Sequence, residues 1–177
     1  MMRVLIAVAL LLIGVLAGIL LAGFSPVGMI VYQGKESLTP EDLARIPYLS
    51  LEGFSEAAVG VNGSEIYLFS DCRRIVMVTN EYQTGSIRSG IEGELDIRPN
   101  SHDIIKNVFE TFGIEPIMVK VTRMEQNVYY ARIFLMQGTR ILNLDVRPSD
   151  AIAIAVRARA PVFVNQTLML EQGEIVC

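Results

Sequence analysis

The chain has 177 residues, a formal net charge of −4 and no tryptophan. This acidic balance argues against a protein that holds nucleic acid through its overall charge. The charge is uneven, however: residues 35–96 carry five basic and eleven acidic side chains, whereas residues 97–177 carry nine and eight. The C-terminal half therefore does not repel phosphate. The length of the whole chain allows one domain of about 140 residues after an N-terminal segment of different composition.

That N-terminal segment is apolar. No charged residue occurs from Val4 to Gly34, and residues 4–22 are long enough to cross a bilayer core of about 30 Å at about 1.5 Å per residue. The pattern predicts one transmembrane helix, an anchor over residues 1–24. A cleaved signal peptide is the alternative, although the apolar run is longer than usual for one.

The segment after the anchor is rich in Gly, Pro and Ser, which is typical of a linker. We expect a linker over residues 25–36 and a single domain over residues 37–177. Arg3 precedes the apolar run and mainly acidic residues follow it, which favours a single-pass membrane protein whose domain lies outside the cytoplasm. Cys177 is the last residue, where chains usually fray, so we expect no disulfide with Cys72.

The first half of the domain gives mixed signals. Thr39 followed by Pro40 is typical of a helix start. Two β-like runs, residues 57–61 and 65–79, flank Asn62-Gly63, a strong hairpin signal. Residues 84–91 contain two glycines and two serines, and they predict a loop or a poor helix.

The second half is more regular. Residues 98–113 predict an amphipathic helix that Asn100 or Ser101 caps. Three strands joined by short turns predict an antiparallel meander; they are residues 116–124, 128–136 and 140–146. A buried helix over 151–156 and a short strand over 160–164 complete an α+β fold, an antiparallel meander sheet packed with helices.

Polar residues gather at the two helix starts, 98–103 and 147–150. Each has a cation, a proline, a capping side chain and an acid, and helix capping alone explains most of them. Asp145 fits that explanation poorly because it lies on the preceding strand. Carboxylates beside a helix start often belong to binding sites.

The chemistry of these residues suggests candidates for a site. Asp103, Asp145 and Asp150 offer oxygen ligands suited to Mg²⁺ or Mn²⁺. His102 is the only histidine, so it is the one imidazole for acid–base catalysis near neutral pH. The alternative is that His102 is a surface or capping residue.

Residues 98–113, 128–135 and 144–164 together resemble the bifunctional nuclease domain family. Members show an Arg-Pro-Leu-Thr-His-Asp helix start, a Tyr-Ala strand and an Asp-x-Arg-Pro-Ser-Asp-Ala-Ile-Ala segment. The resemblance extends over about residues 92–164. It implies a compact α+β domain that is often a homo-oligomer, and hydrolysis of both DNA and RNA.

The resemblance also carries site residues onto this chain. The His-Asp pair falls on His102 and Asp103, and the second motif falls on residues 145–150. Arg98 and Arg147 are the expected phosphate ligands. The expected catalytic residues are His102, Asp103, Asp145, Arg147, Ser149 and Asp150. The chain departs from the family pattern at residues 83–86, where many members have a glutamate followed by an alanine-rich helix. One potential acid is therefore missing.

Three hypotheses follow. The first is a membrane-anchored nuclease that is assisted by a divalent metal and acts on DNA or RNA. The second is a non-catalytic oligomeric binding or scaffold module, in which the same polar residues only brace the fold. The third is a hydrolase of small molecules. The nuclease hypothesis requires that the two helix starts meet in one cleft.

Overall fold

A computed structural model describes residues 30–33, 46–95 and 97–177. The predicted anchor and the predicted helix start at Thr39 lie outside these residues. The helices within the described residues are all too short or too polar to cross a bilayer.

The described residues form ten strands and four α-helices. The strands are β1 (Ile30–Gln33), β2 (Phe54–Glu56), β3 (Ala58–Asn62), β4 (Glu65–Ser70), β5 (Arg73–Val78), β6 (Glu115–Glu125), β7 (Val128–Gln137), β8 (Arg140–Val146), β9 (Val162–Asn165) and β10 (Glu174–Ile175). The helices are α1 (Glu81–Glu92), α2 (Ser101–Phe112), α3 (Pro148–Ala158) and α4 (Gln166–Gln172). A single turn of 3-10 helix covers Pro47–Leu49.

The strands make two sheets. The larger has the order β1-β8-β7-β6-β9-β2, and the smaller has the order β10-β5-β4-β3. The predicted meander is confirmed as β6-β7-β8, and β6 with β9 is a parallel pair in an otherwise antiparallel arrangement. Strand β1 pairs with β8, so the larger sheet begins within the predicted linker. The α+β class with antiparallel sheets and packed helices is confirmed.

The main core lies between the sheets and the helices. Helix α3 runs through it, with Ala151, Ile152, Ala153 and Ala155 completely buried. This burial explains the uniformly apolar composition that the sequence shows there. A smaller apolar cluster on the other face of the larger sheet contains Ile46, Leu49, Phe134 and Ile141. The two faces of this sheet are therefore distinct environments.

Two parts of the first half differ from the sequence-based expectation. The run over residues 65–79 is a hairpin rather than one strand, because Asp71 and Cys72 both adopt positive φ and reverse the chain. The segment predicted as a loop or poor helix is the regular helix α1, which Asn80 caps by accepting a hydrogen bond from the Gln83 N–H. Ile87 of this helix is completely buried, so packing outweighs its low helix propensity.

The expectation of no disulfide is wrong. Cys72 and Cys177 are joined, with their Cα atoms 5.3 Å apart. The C-terminus does not fray because β10 pairs with β5, and Arg74 forms a 2.7 Å ion pair with Glu174. The backbone N–H of Val176 also donates to the carbonyl oxygen of Cys72. The last residues are thus an integral part of the smaller sheet.

Candidate active site

The two predicted polar helix starts come together in space. His102 lies in the first turn of α2 and Asp150 in the first turn of α3. His102 Nε2 lies 3.6 Å from Asp150 Oδ1, and the two side chains are 13% and 27% exposed. Residues 48 positions apart in the sequence therefore form one acid–imidazole pair within reach of solvent.

The start of α2 is fixed by its cap. The Asn100 side chain accepts hydrogen bonds from the backbone N–H groups of His102 and Asp103, and the Asp103 carboxylate accepts from the Asn100 N–H. This reciprocal capping box satisfies several of the donors that a helix start leaves unpaired. The prediction that Asn100 or Ser101 caps this helix is confirmed, with Asn100 as the cap.

The start of α3 has a different design. Arg147 occupies the cap position without a side-chain cap, and Pro148 is the first helical residue. Arg147 Nε donates to Asp150 Oδ2 at 2.8 Å, and the Arg147 side chain is 73% exposed. The capping explanation requires Ser149 to cap this helix. It does not, because the helix has already begun at Pro148. Its side chain is buried and lines a neighbouring cleft.

A polar network continues from His102 into the protein. His102 Nδ1 lies 2.9 Å from the hydroxyl oxygen of Ser86 on α1. A terminal nitrogen of Arg157, from the last turn of α3, donates to the same oxygen at 3.1 Å. Arg157 Nε then donates to Asp103 at 2.7 Å, and these two side chains are only 4% and 7% exposed. Three helices thus contribute to one chain of contacts.

The network opens into a cleft of about 490 Å³. Tyr82 and Ser86 from α1 form one wall, and His102, Arg147 and Asp150 form the other. Tyr82 is almost fully exposed. The cleft is therefore lined by an exposed aromatic ring, by the guanidinium of Arg147 that is paired with Asp150, and by an imidazole that contacts Ser86.

Two pKa shifts follow from this geometry. Burial and the nearby charge of Arg157 lower the pKa of His102, against the opposing effect of Asp150 and Asp103. Burial tends to raise the pKa of Asp103, but the hydrogen bonds from Arg157 and Asn100 outweigh it, so the pKa is lowered. His102 is consequently neutral, and able to accept a proton, near pH 7.

Other predicted site residues lie elsewhere. Asp145 is exposed on β8 and lies on the same strand face as Ile141 and Asn143, the face of the smaller apolar cluster, whereas Leu144 faces the main core. Asp145 is thus on the sheet face opposite α3. Arg98 is exposed in the segment before α2, and it does not line the His102 cleft. The single cleft therefore holds His102, Arg147 and Asp150.

The three carboxylates predicted as metal ligands do not converge. Asp103 is bonded to Arg157, Asp150 is bonded to Arg147, and Asp145 lies across the sheet. Within residues 30–33, 46–95 and 97–177, no group of three or more acidic, histidine or cysteine side chains is arranged to hold an ion. In the described residues these three carboxylates therefore form no common site, and assistance by Mg²⁺ or Mn²⁺ stays a prediction.

Sequence reasoning missed Ser86 and Arg157. Residues 84–91 predict only a loop or a poor helix, so Ser86 could not be assigned to a helix face. Arg157 gives a weak signal: it is a cation at the end of an apolar helix, where burial requires a partner. Its separation from Ser86, 71 residues, makes the contact invisible to spacing arguments.

Comparison with known proteins matches the same region of the chain. A family model described as the bifunctional nuclease domain matches residues 70–176. The chain belongs to the bifunctional nuclease domain family. Ser86, His102, Asp150 and Arg157 all lie inside the matched range, which also spans all four helices.

Curated proteins show the same relationship. The chain is 35% identical over 79 residues to bifunctional nuclease 1 of Arabidopsis thaliana, covering 43% of this chain and 24% of that protein. It is 34% identical over 79 residues to bifunctional nuclease 2 of Oryza sativa subsp. japonica, with the same coverage. An uncharacterised protein of Mycobacterium tuberculosis is 27% identical over 79 residues, covering 45% of this chain and 46% of that protein. The chain thus spans about a quarter of the length of the plant relatives.

Proposed function

We propose that this protein hydrolyses phosphodiester bonds of DNA, RNA or both. The observation that carries the proposal is the meeting of His102 and Asp150 in an open cleft beside the exposed cation of Arg147. Family membership and the nuclease names of the plant relatives support it. Fold alone does not define an activity, so the proposal rests mainly on the geometry of the site.

Each residue of the cleft has a role in this reaction. His102 accepts a proton from the attacking nucleophile, and Asp150 holds the imidazole in the required tautomer and stabilises its protonated form. Arg147 binds a non-bridging phosphate oxygen, because a guanidinium matches the geometry of that anion. Tyr82 at the rim provides a face on which a base can stack.

Whether a divalent metal ion assists the reaction is tested separately. The sequence suggests Mg²⁺ or Mn²⁺, and either ion would neutralise phosphate charge. Because Asp103, Asp145 and Asp150 do not converge, we assign no step to an ion. Dependence on an added ion is therefore measured rather than assumed.

The test is cleavage of single-stranded RNA and DNA by the full chain in detergent, with and without Mg²⁺ or Mn²⁺. The His102→Ala substitution removes the proposed base and should reduce cleavage at least about a hundredfold, as expected for the loss of general acid–base catalysis. Asp150→Asn should also reduce it. The matched control is Glu110→Gln, an exposed carboxylate on α2 that pairs with Lys106, and it should cleave like the unmodified chain.

Two results would contradict this proposal. One is cleavage that survives in His102→Ala. The other is a loss of cleavage in Asp145→Asn but not in Asp150→Asn, since that would transfer the chemistry to the opposite sheet face. The full chain is required because β1, which lies within the predicted linker, completes the edge of the sheet beside β8.

We propose further that residues 1–24 anchor the protein in a membrane as a single-pass helix, with the domain outside the cytoplasm. The disulfide supports this orientation because such bonds persist mainly in oxidising compartments. Labelling intact cells with a membrane-impermeant amine reagent tests it. The domain should be modified without lysis; protection until lysis would contradict the orientation.

We also propose that the protein forms a homo-oligomer through α2. Ile104, Val108 and Phe112 lie one turn apart and are 55%, 43% and 63% exposed, so they form an apolar stripe that another copy can cover. The same stripe favours the alternative function, a non-catalytic oligomeric binding module. Val108→Asp should lower the mass measured by light scattering, whereas Asn107→Asp on the same helix should not. Equal masses for all three chains would contradict this interface.

A further inference from the structure

We propose that Ser86 is the nucleophile of this site and that hydrolysis proceeds through a covalent phosphoseryl intermediate. For its substrate, a phosphodiester, this inference rests on the proposed function. For the nucleophile itself it rests only on geometry. Ser86, His102 and Asp150 form a connected hydroxyl, imidazole and carboxylate, contributed by α1, α2 and α3 respectively.

The contacts of His102 argue for this assignment. Its Nδ1 faces the Ser86 hydroxyl at 2.9 Å, and its Nε2 faces Asp150 at 3.6 Å. Both ring nitrogens are therefore engaged, and a proton reaches the neutral imidazole most directly from Ser86. A nucleophile bonded to a base that a third group orients is the arrangement that activates serine in covalent catalysis.

Arg157 strengthens the case. It donates to the Ser86 hydroxyl oxygen at 3.1 Å, so this oxygen accepts from Arg157 and has its own proton to give to His102. The guanidinium is nearly buried and is held by Asp103, where a charge acts more strongly than in water. It therefore stabilises negative charge on the oxygen as the proton leaves. The cations Arg157 and Arg147 also suit an anionic phosphoryl group better than a neutral ester.

The reaction balances in two steps. In the first, Ser86 Oγ gives its proton to His102 Nδ1 and bonds to phosphorus, while the bond from phosphorus to the leaving sugar oxygen breaks and that oxygen takes a proton from solvent. In the second, water attacks phosphorus and returns a proton to solvent. The bond from Ser86 Oγ to phosphorus then breaks, and Oγ recovers its proton from His102. His102 thus serves the same oxygen in both steps.

The chain offers a matched serine. Ser89 lies one turn further along α1 and also lines the cleft, but its hydroxyl donates to the Gly85 carbonyl oxygen at 3.1 Å. It is therefore committed to its own helix and has no base beside it. A reagent that reacts with an activated hydroxyl, and not with every exposed one, should therefore modify Ser86 and not Ser89.

The experiment treats the full chain with a fluorophosphonate, which an activated serine attacks with loss of fluoride. Peptide mass spectrometry should place the phosphonyl group on Ser86. Ser86→Ala should remove it, Ser89→Ala should keep it, and His102→Gln should slow its formation at least about a hundredfold. Labelling of the unmodified chain needs no variant, so the test holds even if a variant fails to fold.

Cleavage assays then separate this inference from the proposed function. Loss of cleavage by at least about a hundredfold in Ser86→Ala, with an unchanged circular dichroism spectrum, supports the nucleophile. An unlabelled Ser86 together with full cleavage by Ser86→Ala would overturn the inference and leave the nuclease proposal intact. A labelled Ser86 in a chain that cleaves no phosphodiester would reject the nuclease proposal while supporting the nucleophile.

Discussion

The buried pair of Asp103 and Arg157 shows how single residues serve both the fold and the site. Arg157 Nε is 2.7 Å from Asp103, and another nitrogen of the same guanidinium donates to the Ala153 carbonyl oxygen at 2.9 Å. Asp103 also accepts from the Asn100 backbone. Each charge therefore has several partners, which is the condition under which a buried ion pair is tolerated. The pair fastens α2 to α3 directly behind Ser86 and His102.

Replacing Asp103 by Asn tests the structural role of this pair. The change leaves a nearly buried guanidinium without its counter-charge, so we expect a loss of roughly 3 kcal/mol or more in the free energy of unfolding. The matched control is Glu110→Gln on the same helix, whose exposed pair with Lys106 should contribute less than about 0.5 kcal/mol. Urea denaturation measures both. Equal effects for the two variants would show that burial of Asp103 does not matter.

The lowered pKa of His102 gives a pH-dependent stability. Its folded pKa lies below the ordinary value of 6.5 because burial and Arg157 disfavour the cation. The unfolded chain therefore binds more protons as the pH falls below 6.5, and stability should decrease there by at most about 1.4 kcal/mol per pH unit. Asp103, with a pKa lowered from 3.8, loses its contribution only at more acidic pH.

The measurement is urea denaturation between pH 7.5 and pH 5, comparing the unmodified chain with His102→Gln. Because His102 is the only histidine, the variant should show a flatter dependence over this range. Stability that rises in the unmodified chain as the pH falls would mean that the folded pKa is raised, which is the opposite sign.

At the scale of elements, the contact between α1 and α3 positions Ser86 against Arg157. Gly90 makes this close approach sterically feasible: a Cβ there would lie 2.6 Å from Val156 Cγ2 and 2.8 Å from a terminal nitrogen of Arg157. Both distances are shorter than real Cβ contacts. The glycine that weakens the helical pattern in the sequence is thus what allows the two helices to pack.

Replacing Gly90 by Ala should therefore destabilise the protein by roughly 1–3 kcal/mol, as other overpacked sites do. Gly85 on the same helix is the control, because a Cβ there meets nothing within 4 Å. Gly85→Ala should stabilise the helix by up to about 1 kcal/mol. Thermal and urea denaturation of the two variants should give shifts of opposite sign. Stabilisation in both would contradict the close packing of α1 on α3.

Comparison of these elements shows where sequence reasoning succeeds. Helix α2 and the meander were predicted because their apolar periodicity is local and their turns are short. Helix α1 was not, since Gly85 and Gly90 lower its propensity and Ile87 stabilises it only by burial in the folded protein. Candidate residues His102 and Asp150 came from motifs at helix starts, but their pairing depends on how α2 packs on α3. Asp145 was grouped with them but lies on the other sheet face, because strand alternation does not reveal which face of a sheet a helix covers.

At the scale of the whole molecule, the disulfide joins the two ends of the family-matched region. Cys72 lies in the turn between β4 and β5, and Cys177 follows β10, with a sequence separation of 105 residues. The loop that this bond closes contains α1, α2 and α3, and so every residue of the cleft. Closing a long loop reduces the conformational entropy of the unfolded chain. The bond thus stabilises the folded arrangement of the site as a unit.

Replacing Cys177 by Ser should lower the free energy of unfolding by about 2–4 kcal/mol, because the unfolded chain regains the freedom of that loop. The unmodified chain in reductant should lose a similar amount, whereas reductant should leave the variant unchanged since its bond is already absent. Urea denaturation with and without dithiothreitol measures all four conditions. If reductant had no effect on the unmodified chain, β10 and the Arg74–Glu174 pair would have to hold the C-terminus alone, and the disulfide would contribute nothing to the stability of the site.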